Sequence, residues 1–346
     1  MTESALVVGQ PRGSLKRLVS SVWFKAAVAI AVLVLLVRFN RLDMRALTAL
    51  GETWPWLLVA FALMLPPFLI VSYRFQIILR SQRINVSLLQ AVRWTMIGSF
   101  FDLGMPSSNG GDVIKAGYVI KHVGAGMRTR AVMAVAFDRV LGLLGLFLLA
   151  STVGVFGWTV VRDLPAAGLV LFASFGASIG ALAAFRVLGA RRLYSHPSLV
   201  RRLARGTWGP RFRQFIGAFN DFRESPAHLA SALGLSVLNH VFWCAALLCI
   251  ARAVGHNVEP IEGFVVFPMA IFGNIFGVAG GFGLGTAGFD LVLSQLLSIS
   301  DGALIGLLFQ TLSALTRLSG LPFFLVSHRA EHADSISKNW PSRNHQ

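Results

Sequence analysis

Six ionisable residues stand where an apolar chain rarely holds charge: Asp112, Lys115, Asp138, Arg139, Asp290 and Arg317. An Arg at mid-bilayer costs about 2.5–3.5 kcal/mol on insertion scales. Arg139 and Arg317, both deep in apolar stretches, must therefore face a partner or a wet cavity. Asp138 and Arg139 are neighbours in sequence, so they point to different faces of a helix and each needs a partner elsewhere. Two roles fit: an ion pair that holds helices together, or contact with a charged substrate. Asp112 and Lys115 are three apart, on one helix face. A helix that begins near Asn109–Asp112 would aim free N–H groups and its positive dipole end into a cavity, which suits a phosphate, and Lys115 adds to it. Asp112 itself either caps that helix or meets a cation. Asn239 and His240 lie mid-stretch, where a His is more often an interhelical hydrogen bonder than a ligand. The other histidines lack metal-ligand spacing. There is no Walker loop, no Gly-x-Ser-x-Gly elbow and no His-Glu-x-x-His. No metal, cofactor or ATP chemistry is expected.

These residues must be positioned by membrane elements. Of 346 residues, 55% are hydrophobic and 13% charged, and mean hydropathy is +0.67; a soluble domain carries about 25% charged residues. The expected fold class is all-α, a polytopic membrane helix bundle. Apolar stretches of spanning length lie near 22–37, 54–78, 131–157, 165–187, 227–253 and 301–327, which gives about six spanning helices. The first follows Arg12, Lys16 and Arg17 like a signal peptide, but its exit lacks a small-residue cleavage site, so it reads as an uncleaved span. Two further apolar regions, near 91–120 and 262–300, are interrupted by glycine-rich breaks. Pro106, Gly110 and Gly111 shape the first, and Gly280, Gly281 and Gly283 the second. Irregular backbone at membrane depth survives only when buried in protein or lining a wet cavity. Each region reads as a re-entrant helix pair.

Charge assigns the sides. The net charge is +16, but the basic residues cluster in loops beside apolar spans, which points to an anionic inner leaflet rather than nucleic acid. Residues 188–226 hold eight arginines and residues 74–130 hold eight Lys or Arg, whereas 253–316 hold none. The first break then opens to the cytoplasm and the second outward, with both termini cytoplasmic. The short loop 38–53 disagrees, with Arg38, Arg41 and Arg45. The organisation expected is a cytoplasmic segment 1–21, one transmembrane domain 22–327 with a basic loop 188–226, and a polar cytoplasmic tail 328–346. Within the domain, 54–157 and 227–327 form inverted repeats, the broken-helix pattern of transport sites. Asp112 precedes Arg139 by 27 residues, and Asp290 precedes Arg317 by 27. In the basic loop, Phe212, Phe215, Ile216, Phe219 and Phe222 share one helix face, which fits an interfacial helix or a helix packed under the bundle. Cys244 and Cys249, five apart in one span, share no face and indicate no disulfide.

The run Met105-Pro106 through Gly110-Gly111-Asp112-Val113-Ile114-Lys115, then Asp138-Arg139-Val140-Leu141-Gly142, then Gly280-Gly281-Phe282-Gly283, resembles the lysylphosphatidylglycerol synthase transmembrane (flippase-like) family over roughly residues 20–330. The resemblance implies a polytopic bundle with re-entrant segments that moves lipids between leaflets. In the best-known members a fused soluble domain makes the aminoacylated lipid. This chain resembles the stand-alone members, for which any lipid synthase is a separate partner. It departs from the pattern at Ala279 and Thr286, where relatives often have Pro and Glu, and this argues against a cationic-headgroup site near Thr286. The expectation is an inner-membrane lipid translocator with no enzyme activity of its own. The rivals are a membrane-embedded enzyme on a lipid-linked sugar, for which no paired carboxylates or metal site are visible, and a scaffold that binds a synthase and moves nothing.

Overall fold

In a computed structural model of the chain, the described residues are 44–104, 110–162, 167–188, 217, 220–222, 224–274 and 282–327. They form α-helices and one 3-10 turn, with no strand among them. In chain order the helices are α1 (Met44–Leu63), α2 (Pro66–Ser81), α3 (Leu88–Gly104), α4 (Gly110–His122), α5 (Arg128–Phe156), α6 (Ala167–Leu188), α7 (Pro226–Ala253), α8 (Pro260–Asn274), α9 (Leu284–Leu296) and α10 (Gly302–Leu318). A single turn, Trp158–Val161, separates α5 from α6. Four segments are long and apolar enough to cross a membrane: Gly51–Ser81, Arg128–Phe156, Pro226–Ala253 and Gly302–Ser327. The expected first span, the start of the basic loop and the tail fall outside the described residues, as do Pro106, Gly280 and Gly281.

The segment 54–78 is one bent span rather than a straight helix. Pro66 and Pro67 supply no N–H, so the helical ladder breaks there and restarts as α2. Helix α7 runs through the middle and packs on α1, α2, α5, α8 and α10. Its approach to α5 is close because Gly145 meets the Ser236 side chain and backbone, and any Cβ at 145 would overlap them. That approach also sets the register of the polar residues on both helices. Helices α3 and α4 fold back on each other, and a Cβ at Gly111 would overlap the Gly98 carbonyl. Helices α8 and α9 pack on each other in the same way. Gly283, which precedes α9, has φ +77°, a backbone that side chains rarely adopt.

Two apolar cores result. One gathers Phe75, Ile78, Ala91, Trp94, Phe137 and Leu144 from α2, α3 and α5. The other gathers Leu247, Phe267, Phe289, Leu293, Ile305 and Phe309 from α7 to α10. Phe222 belongs to the first core and stacks on Phe137 at 4.8 Å, so the described end of the basic loop packs under the bundle. Asp221 beside it pairs with Arg130 at 2.8 Å and Arg83 at 3.2 Å. Large apolar side chains face outward elsewhere, Phe156 at 86% and Phe172 at 77% exposure. In a bilayer such a surface meets acyl chains at no cost.

Candidate functional site

Between the helices lies a polar cavity of about 280 Å³. Its walls come from α2, α3, α4, α5, α7, α8 and α10. Four cations reach it, Arg74, Lys115, Arg139 and Arg317, and three carboxylates, Asp102, Asp112 and Asp138. The cavity is deep within the spans. Arg74 stands seven residues before Ser81, Asp138 ten after Arg128, Asn239 thirteen after Pro226, and Arg317 ten before Ser327. At 1.5 Å per residue these are about 10–20 Å from the helix ends.

The innermost group is a triad. Asp138 accepts from Arg74 Nε at 2.8 Å and from Lys115 Nζ at 2.7 Å, all three side chains being buried. Arg74 also donates to Ser236 Oγ at 2.9 Å, and Ser236 in turn to the Ala232 carbonyl. Lys115 Nζ sits 3.9 Å over the Phe75 ring. Four helices, α2, α4, α5 and α7, are thereby tied at one point. Buried charges persist only when paired and hydrogen-bonded in this way. Lys115 is thus not at the mouth of the break, as the three-residue spacing from Asp112 suggested. The turn of α4 carries it inward, and its charge is spent on Asp138.

The start of α4 is also committed. Asp102, from the last turn of α3, accepts the Gly111 N–H at 2.7 Å. The helix N-terminus expected to receive a phosphate already holds a carboxylate of the protein. Asp112 does not cap; it pairs with Arg139 at 2.6 Å. This pair is the open one, with the two side chains 40% and 27% exposed. Asp138 and Arg139, pointing to different faces, thus find different partners.

Arg317 does not pair with Asp290, although the 27-residue spacing matches that of Asp112 and Arg139. Asp290 is buried where the start of α10 crosses α9, against Gly302, and does not line the cavity. Arg317 instead lines the cavity together with the first-repeat cluster, Asp102 among it. Among the described residues its guanidinium makes no hydrogen bond or close ion pair. His240 Nε2 lies 2.9 Å from the Gly142 carbonyl. A carbonyl only accepts, so Nε2 carries the proton. In that neutral tautomer Nδ1 is an acceptor, and it is buried without a partner. Asn239 and Thr95, each 5% exposed, also line the cavity, and among the described residues Asn239 Oδ1 and Thr95 Oγ1 have no partner.

The second hairpin is held by neutral groups. Thr286 donates to Gln310 Oε1 at 2.7 Å, and Gln310 donates to Asn274 Oδ1 at 3.1 Å. Gly285 leaves room for both amides. Gly110 is buried at the start of α4.

Sequence reasoning missed Arg74, Asp102, Thr95 and Asn274. The signal for the first two was present, since an ionisable residue inside an apolar stretch is itself a flag. In the sequence Arg74 counts only among the eight basic residues of 74–130 that assign the side. Among the described residues no group of three His, Cys, Asp or Glu could hold a metal ion.

No curated protein and no solved structure matches the chain. A family model described as "Lysylphosphatidylglycerol synthase TM region" matches residues 22–319, most of its length. This multi-pass membrane protein, with a charged cavity between its helices, belongs to the lysylphosphatidylglycerol synthase TM region family.

Proposed function

We propose that the protein is a lipid translocator of the cell inner membrane, without enzyme activity of its own and not driven by ATP directly. The headgroup enters the cavity while the acyl chains remain in the bilayer. The observation that carries this reading is the charge count at membrane depth: four cations against three carboxylates. A surplus positive charge in a low-dielectric site is costly unless an anion or water joins it, and a phosphate is the anion that every phospholipid brings. The Arg139–Asp112 pair, the more exposed one, is the point where a phosphate can replace a carboxylate.

The path in this reading is an inverted repeat, residues 54–157 (α1 to α5) against 227–327 (α7 to α10). Each repeat is a spanning segment, a hairpin of two shorter helices and a second spanning segment. Each hairpin carries a polar side chain from the end of its first arm beside a glycine that opens its second: Asp102 on Gly111, and Asn274 beside Gly285. The cross-contacts match too, α8 lying on α5 and α3 on α10. The hairpins are re-entrant from opposite faces, the first from the cytoplasm, and both termini are cytoplasmic. The anionic inner leaflet is the electrostatic partner of the basic loops. A lipid synthase, where one acts, is a separate partner.

The test is leaflet exchange of fluorescent phosphatidylglycerol in proteoliposomes, read by dithionite quenching. The reading expects exchange well above that of protein-free vesicles. Equal rates at verified incorporation would leave the scaffold rival standing.

A further inference from the structure

Resting on the translocator reading, we propose that the cavity takes a phosphate headgroup whose remaining part is uncharged and hydroxyl-bearing, a polyol or sugar phosphate, and turns away cationic headgroups. Three features of the partners in the cavity lead there.

The first is the anion side. Arg317 is half-buried and makes no hydrogen bond among the described residues, so the donors of its planar fork are available. A phosphate oxygen pair matches that fork. The Gly111 N–H, the competing donor, is already used by Asp102.

The second is the shortage of countercharge for a cation. Asp138 is paired with both Arg74 and Lys115 and Asp112 with Arg139, while Asp102 keeps its charge as it accepts the neutral Gly111 N–H, so four cations share the cavity with three carboxylates. An ammonium brought here would add a fifth positive charge. Like charges at close range are repelled most where water is scarce.

The third is the neutral polar wall. Thr95, Asn239 and His240 line one cavity, and Thr95 Oγ1, Asn239 Oδ1 and His240 Nδ1 are buried without a partner among the described residues. A membrane interior rarely leaves three such groups unsatisfied. Thr95 Oγ1 can donate and accept, whereas Asn239 Oδ1 and His240 Nδ1 accept. Hydroxyls, which do both, complete the set. A quaternary ammonium has no donor to give.

The experiment uses the full chain in phosphatidylcholine nanodiscs, with short-chain lipids titrated in and bound lipid counted by native mass spectrometry. Phosphatidylglycerol should bind about tenfold tighter than phosphatidate, which has the phosphate without the polyol, because a buried polar group left unpaired costs roughly a factor of ten. It should exceed lysyl-phosphatidylglycerol by at least as much. Asn239→Leu should lose the advantage of phosphatidylglycerol while binding phosphatidate as before, which also shows that the variant is folded. If Asn239→Leu loses both lipids, Thr95→Val carries the same comparison. Soluble glycerol phosphate should not compete at matched concentration. If it competes as well as the lipid, the site belongs to a soluble polyol phosphate and the lipid assignment falls. Lysyl-phosphatidylglycerol binding equal to phosphatidylglycerol, or an unchanged lipid ratio in both variants, overturns the proposal. Selective binding without leaflet exchange keeps the headgroup class and removes translocation; exchange that ignores the headgroup does the reverse.

Discussion

Asp138 carries more of the structure than any other residue in the cavity. It pairs with two cations on two other helices, in a place where neither has another acidic partner in contact among the described residues. Removing one member of a buried ion network leaves uncompensated charge and costs about 3–5 kcal/mol. Asp138→Asn strands Arg74 and Lys115 together and should fall in that range. Lys115→Met removes one cation, leaves Asp138 with Arg74, and keeps an apolar group over Phe75. It should cost only about 1–2 kcal/mol. Unfolding in mixed micelles with rising dodecyl sulfate checks both. Equal losses for the two variants would contradict the assignment of Asp138 as the hub. Little of this was legible in the sequence. Arg74 and Asp138 are 64 residues apart, and nothing local says that they meet. The depth of Arg139 and Arg317 was legible, because insertion cost depends on hydropathy alone. The partner of Arg139 was not, because it depends on how α4 packs on α5, nor were the surroundings of Arg317, which depend on how α3 approaches α10.

At the scale of elements, the hairpin of α3 and α4 depends on two glycines in contact. Gly111→Ala places a methyl against the Gly98 carbonyl, and overpacking of this kind costs about 1–3 kcal/mol. Gly117, on the same helix, has open space where its Cβ would go. Gly117→Ala should therefore stabilise by up to about 1 kcal/mol through helix propensity. Thermal unfolding in detergent should move the two variants in opposite directions; the same direction for both would show that the close approach is not what Gly111 supplies. The arms of both hairpins were readable from apolar length and from the glycines that end it. The bend at Pro66–Pro67 was written in the chain but hidden by a continuous apolar run. The match of 27 residues between Asp112–Arg139 and Asp290–Arg317 reflects an ion pair in the first case alone, because Arg317 lines the cavity and Asp290 does not.

The whole molecule places a polar cavity between two apolar cores and ties it to both halves of the chain. The proposed opposition of the hairpins has a direct consequence at its surface. Gly124, after α4, and Ser300, after α9, are both exposed. With Cys244 and Cys249 replaced, Gly124→Cys should label only from the cytoplasmic side of oriented vesicles and Ser300→Cys only from the outer side. Labelling of both from one side would remove the inverted arrangement. The central claim is narrower: the surplus positive charge in the cavity is what lets a phosphate headgroup cross. Leaflet exchange of fluorescent phosphatidylglycerol in vesicles matched for protein content tests it most directly, with Arg317→Gln compared against the wild type and against Arg83→Gln, an exposed charge that does not line the cavity. The account predicts fast exchange for the wild type and Arg83→Gln, and a loss of about tenfold or more for Arg317→Gln. Wild-type exchange in Arg317→Gln would contradict it.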